Sequence, residues 1–168
     1  MDHGLVLAEP ANLGSLYRFN RDHLLAPAVV LAVGLRSELL TRLGDETAQL
    51  NPVPVHASVF GSFARGEAGV DSDIDVLLIA ASDADTARWE GQVDGLEDRV
   101  RRWTGNRCRC LVVTVARAQQ LSKQNEPIVS NWIDDGVLLG GERLKGLLAM
   151  TANRGSKRRR SSQAAVKR

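Results

Sequence analysis

The sequence predicts an α/β fold, a small mixed sheet with flanking helices, and three observations point to it. Apolar runs of strand length lie at 55–60, 74–79 and 110–115, and the second is apolar enough to be buried on both faces. Between the second and third run, Trp89, Val93, Leu96, Val100 and Trp103 recur at alternating spacings of four and three. That is the stripe of a helix over 84–104 packed on one side, which Gly105-Asn106 then stops. Between the first and second run lies a glycine-rich connection over 61–69.

The elements before and after this core follow from the same rules. Short apolar runs at 4–8 and 15–19 flank Pro10-Ala11-Asn12-Leu13-Gly14, the pattern of a β-hairpin. A helix is expected over 22–43. Asn20 or Asp22 can cap it, and Pro27 falls in its first turns, where a missing N–H costs little. Leu24, Ala28, Leu31, Ala32, Leu35, Leu39 and Leu43 then form one apolar stripe. After the third strand, 116–148 reads as helical, broken at Pro127, Gly136 and Gly140-Gly141. The chain therefore divides into an N-terminal hairpin and helix (1–50), the α/β core (51–150) and a basic tail (151–168). The tail lacks apolar periodicity and is expected to be disordered.

Composition narrows the function classes. The chain has 168 residues, of which 43% are hydrophobic and only 4% aromatic, so the core must come from Leu, Val, Ile and Ala. No apolar run reaches the 18 or so residues of a membrane span, and Met1-Asp2-His3-Gly4 does not open a secretory signal. Two cysteines, Cys108 and Cys110, do not make a disulfide framework, so a reducing cytoplasm is expected. With three histidines in the chain, a zinc site on these cysteines is disfavoured. The net charge of +2 conceals an asymmetry. Residues 154–168 carry seven basic and no acidic side chains, leaving 15 basic and 20 acidic residues before them. An acidic body argues against a body-wide nucleic-acid surface, while the tail allows a weak, non-specific contact with nucleic acid.

Chemistry concentrates between Val59 and Ile79. Asp73 and Asp75 stand two apart at the start of an apolar strand, so period two puts both carboxylates on one face and turns Ile74 into the core. Two adjacent carboxylates repel and call for a cation, and their hard oxygens suit Mg²⁺ or Mn²⁺. Upstream, Gly61-Ser62 follows a strand and opens a helical turn whose free N–H groups and hydroxyl can seat phosphate oxygens. Arg65 can add positive charge to the same phosphates. A phosphate seat beside a carboxylate pair implies nucleotide chemistry. A Walker A loop is excluded because Glu67-Ala68 follow Gly66 where Lys-Ser/Thr is needed. An EF-hand is excluded because Val76 stands where that loop needs glycine, and Ser82 where it needs glutamate.

This spacing resembles the nucleotidyltransferase superfamily with a polymerase-β-type catalytic domain, whose signature is Gly-Ser followed after about ten residues by Asp-x-Asp on a strand. Gly61-Ser62-Phe63-Ala64-Arg65-Gly66-Glu67-Ala68 followed by Ser72-Asp73-Ile74-Asp75 is closer still to the small "minimal" members. The resemblance implies a nucleotidyltransferase-type fold. It implies that Asp73 and Asp75 are the catalytic metal ligands, and that Gly61 and Ser62, with Arg65, bind the nucleotide. An NMP would pass from an NTP, ATP in the first instance, to an acceptor such as a protein hydroxyl, an RNA end or a small molecule. A partner protein as acceptor would match minimal members that act on a toxin. The hairpin and following helix more faintly resemble the wing of a winged helix-turn-helix domain.

One departure from the family pattern stands out. A third acid is usual on the next strand, but Arg107-Cys108-Arg109-Cys110-Leu111-Val112-Val113 contains none. Glu67, Asp94 and Glu97 are the acids that could substitute for it. Period two lets either Arg109 or the two cysteines face the cleft, and the expectation is a cysteine, with Arg109 turned to solvent where it is easily hydrated. The missing acid supports an alternative function, a non-catalytic nucleotide-binding regulatory or antitoxin-like module with a DNA-binding remnant.

Overall fold

A computed structural model describes residues 4–149, so the tail expected over 151–168 lies outside the described residues. The chain divides into two compact units between Thr41 and Arg42. In the first unit, β1 (Val6–Ala11) and β2 (Gly14–Phe19) pair antiparallel, with Ala11 opposite Gly14. The expected hairpin is present, with its turn tightened to Asn12-Leu13. The helix α1 (Ala26–Ala48) begins in this unit and ends in the second. It starts later than the sequence suggests because 20–25 form their own turn, with the Asn20 side chain accepting from the Asp22 amide. It also runs on through Gly44, with Thr47 and then Leu50 joining the buried row that Leu39 and Leu43 begin.

The second unit holds a four-stranded sheet in the order β5-β4-β3-β6. Its members are β3 (His56–Phe60), β4 (Ile74–Ala80), β5 (Cys108–Thr114) and β6 (Val137–Gly141). Strand β3 runs antiparallel to both β4 and β6, and β4 runs parallel to β5, so the sheet is mixed as expected. The parallel pair is joined by α3 (Asp83–Thr104), whose stripe Trp89, Val93, Leu96 and Val100 is buried. The strand β6 was expected to be helical. Its sequence, Val-Leu-Leu-Gly-Gly, lacks alternation and has one β-branched residue, and pairing with the antiparallel edge of β3 makes it a strand. Gly141 adopts φ +79°, and any Cβ there would meet the Val55 carbonyl, so this crossing needs glycine.

Alternation sorts the two faces of the sheet. Phe60, Leu77 and Ile79 pack with Ala118 of α4 (Val115–Lys123), Val129 and Trp132 of α5 (Pro127–Asp134), and Leu144 and Leu147 of α6 (Leu144–Ala149). Val76, Leu78, Cys108 and Cys110 turn to the other face, the one α3 covers. The central strand β3 is buried along its whole length. Its two polar residues satisfy each other: His56 Nε2 lies 2.9 Å from Ser58 Oγ, and Nδ1 lies 2.7 Å from the Glu142 carbonyl oxygen. A carbonyl only accepts, so Nδ1 carries the proton and Nε2 accepts from Ser58. Burial lowers the His56 pKa against the pull of the Glu142 bond, which keeps the ring neutral and structural.

Candidate active site

At one end of the sheet, β3 passes directly into α2 (Gly61–Arg65) while β4 departs antiparallel beside it. Phe60 and Asp75 are register partners, which brings the Gly61-Ser62 turn against the carboxylate. Gly61 adopts φ +75°, and a Cβ built on it would lie 3.0 Å from Asp75 Oδ2. The glycine is therefore required twice, for its backbone conformation and for the approach of the carboxylate. Gly61→Ala is expected to destabilise the fold by about 1 kcal/mol and to displace Asp75, so that melting temperature and metal-dependent nucleotide affinity fall together in thermal and titration measurements.

A small hydrogen-bonded scaffold positions the other carboxylate. The Ser72 hydroxyl accepts from the Gly69 amide at 2.8 Å, and the Asn106 side chain donates to the carbonyls of Val70 and Ser72 at 2.7 and 3.0 Å. The Ile74 amide donates to the Arg107 carbonyl at 2.8 Å. Asp73 is thus delivered from a loop stapled to the end of α3, while Ile74 is buried, as period two requires. Sequence reasoning took Asn106 only as a helix stop. Its amide also orients the loop that carries Asp73, and nothing local in the sequence announces that pairing across more than thirty residues.

The electrostatics of the pair are unbalanced. Burial first, and the Asp73 charge second, raise the Asp75 carboxyl above its ordinary value, while Arg109 pulls it down. Arg109 stands opposite Asp75 in the parallel register, and its Nη2 donates to Asp73 Oδ2 at 2.9 Å. The expectation that a cysteine faces the cleft is therefore corrected. Two close carboxylates draw a cation, and the guanidinium supplies one while its side chain stays 62% exposed, so it keeps its hydration as well. The cysteines sit on the α3 face. Cys108 is buried, and the Cys110 amide donates to Glu97 Oε1 at 2.7 Å. The hydrogen bond between the thiols and burial push the Cys110 pKa up, which disfavours the thiolate that a nucleophile or metal ligand needs.

None of the acids named as substitutes completes a third ligand. Glu97 is held by the Cys110 amide, Glu67 by Arg65 at 2.7 Å, and Asp94 lines a cavity of about 600 Å³ with Val112 and Arg117. No group of three or more His, Cys, Asp or Glu side chains able to hold a metal occurs among the described residues. Arg65 lies on α2 as expected, but it is doubly paired, with Glu67 at 2.7 Å and with Asp135 at 2.5 Å. Two carboxylates with a raised proton affinity at Asp75 still fit one hard divalent cation; Arg109 is its competitor.

Fold and site together define a nucleotide-handling α/β domain built on a Gly-Ser turn and an Asp-x-Asp strand. The chain belongs to the nucleotidyltransferase domain family, which matches residues 40–132, more than half its length. The match begins in α1 and leaves out the hairpin, so the winged-helix resemblance gains no support from it. One solved structure, described as a toxin-antitoxin with AMP-PNP, is similar at 15% identity and a TM-score of 0.43, covering 76% of this chain and 92% of that one. No curated protein matches. No helix among the described residues is long and apolar enough to cross a membrane.

Proposed function

We propose that this chain is a cytoplasmic nucleotidyltransferase that moves a nucleoside monophosphate from an NTP, ATP first, to an acceptor hydroxyl with release of pyrophosphate. The observation that supports this reading is the close approach of Asp75 to Gly61, which would set bound phosphates beside the carboxylate pair. Asp73 and Asp75 would hold Mg²⁺ or Mn²⁺, which neutralises phosphate charge when bound. Gly61 and Ser62 offer backbone and hydroxyl donors to the phosphate oxygens. Arg65 anchors α2 through Nη1 to Asp135 and Nε to Glu67, and its Nη2 would serve a phosphate oxygen without breaking either pair. The acceptor is a hydroxyl on a partner protein, an RNA end or a small molecule.

Arg109 favours a second reading, a nucleotide-binding regulatory or antitoxin-like module. The guanidinium paired with Asp73 disfavours a second divalent ion, and among the described residues Glu67 and Glu97 are each held by other groups rather than offered to an acceptor's proton. The test is incubation of the protein with α-labelled NTPs, Mg²⁺ and cell lysate. Label transferred to a protein, an RNA or a small molecule, and lost in Asp73→Asn, supports transfer and identifies the acceptor. Metal-dependent NTP binding without transfer would leave the regulatory reading.

A further inference from the structure

Strand β5 is an edge of the sheet, with β4 on one side and no strand on the other among the described residues. The Cys110 amide points away from β4, because it donates to Glu97 Oε1. Period two turns the Val112 amide the same way. That amide has no hydrogen-bond partner among the described residues. An open edge of this kind is a template for a further strand. Beside it lies the cavity of about 600 Å³ between α3 and β5. Trp89, Val93 and Val112 give it an apolar floor. Asp83, Glu90 and Asp94 stand on its rim, facing one cation, Arg117, whose Nη1 donates to Gln120. The three carboxylates are exposed and make no ion pair among the described residues.

We propose that the chain's own basic segment, 157–168, adds to β5 as a further strand in this groove and runs antiparallel to it. This goes beyond the nucleotidyl-transfer reading and does not depend on it. Charge selects the occupant, since residues 154–168 carry seven basic and no acidic side chains, against three carboxylates and one guanidinium in the groove. The spacing of those charges agrees. Lys157-Arg158-Arg159-Arg160 and Lys167-Arg168 bracket an uncharged run, Ser161-Ser162-Gln163-Ala164-Ala165-Val166. That run spans roughly 20 Å as a strand, and α3 rises roughly 16 Å from Asp83 to Asp94, so a basic cluster reaches each end of the rim. Period two places Ala164 and Val166 on one face of the run, to meet the apolar floor. The connection is long enough. Gln119 Nε2 of α4 donates to the Leu147 carbonyl of α6 at 2.8 Å, and Arg117 of the same α4 lines the groove. Residues 150–160 can cover up to about 35 Å when extended. Coming from α4, the segment enters at the Thr114 end of β5, which sets the antiparallel direction. Glu97 already closes the Cys110 amide, so the addition uses the edge beyond it, at Val112. A segment with too little apolar surface to fold alone can still add to an open strand, because main-chain bonds supply the affinity.

Hydrogen exchange on the full chain is expected to show the Val112 amide protected by at least about tenfold relative to Asp83→Asn/Glu90→Gln/Asp94→Asn, which removes the rim charge at exposed positions. High salt should shrink that difference. In a Cys110→Ser background, Ala87→Cys, which lines the groove, should cross-link with Ala164→Cys within one chain on mild oxidation. Arg88→Cys, on its exposed neighbour outside the groove, should not. Equal exchange at Val112 in parent and variant would overturn the proposal and leave the groove to a separate basic peptide. Equal cross-linking from residues 87 and 88 would overturn it as well. So would a cross-link that joins two chains, which would assign the groove to a neighbouring copy.

Discussion

Asp75→Asn is expected to weaken Mg²⁺-dependent NTP binding by about 100-fold or more, since even residues that only support metal ligands cost 10- to 100-fold when removed. The same substitution should not harm the fold. A carboxyl with a raised folded-state pKa fits the folded chain better when protonated. Its contribution to stability is therefore present at low pH and is lost as pH rises through the folded pKa. At pH 7 the ionised Asp75 is a net burden, caused first by burial and then by Asp73. The asparagine variant should accordingly melt at or above the parent temperature in metal-free buffer at pH 7, and the difference should shrink in acid. Thermal melts at both pH values, with nucleotide titrations at neutral pH, check the two halves. Unchanged NTP affinity would sink the metal-site assignment, and a large loss of stability would mean that the carboxylate is structural.

Arg109→Asp should have the second large effect, in the opposite direction. The residue sits beside Asp75 on the parallel neighbour strand and pairs with Asp73. Its side chain is mostly exposed, so the exchange does not disturb packing. It removes a competing cation and places a carboxylate where an acceptor's proton can be taken. A positioned general base is worth about 10²- to 10⁴-fold, so any transfer activity should rise by at least about tenfold. Arg109→Ala serves as the partial case, with tighter Mg²⁺ binding and little gain in turnover. A parent protein already turning over at about 1 per second or faster, with Arg109→Asp no better, would show that another group does this work.

The placement of the candidate site residues was legible in the sequence where it is local. Gly61-Ser62 and Asp73-x-Asp75 lie close together in the chain, and a strand's period of two already puts the carboxylates on one face. The phase of a strand is a different matter. Period two said that Arg109 and the cysteines face opposite ways, but only the register against β4 says which way each faces. Hydration of an arginine proved a poor guide because Arg109 stays hydrated while pairing with Asp73. The strand β6 was invisible for a related reason: a five-residue run ending in two glycines becomes a strand through its partner, not its composition. The pairings of Asn106 with the 70–72 loop and of Arg65 with Asp135 are tertiary and leave no periodic trace. In α1 the stripe was read correctly, but the sequence could not say that half of it would remain uncovered.

The arrangement of β3, α2 and β4 has a consequence for how this domain is made and altered. Both halves of the proposed nucleotide site come from one unbroken stretch, Val59 to Ile79, folded back on itself by antiparallel pairing. Closing so short a loop costs little chain entropy, and contacts this local form quickly. The ligand-gripping hairpin can therefore assemble before the edge strands β5 and β6 dock. Substitutions on those edges, of which Arg109 is one, can retune or silence turnover while the grip on nucleotide persists. A chain built this way can drift from catalyst to sensor and back through a few edge positions, without having to reinvent its pocket.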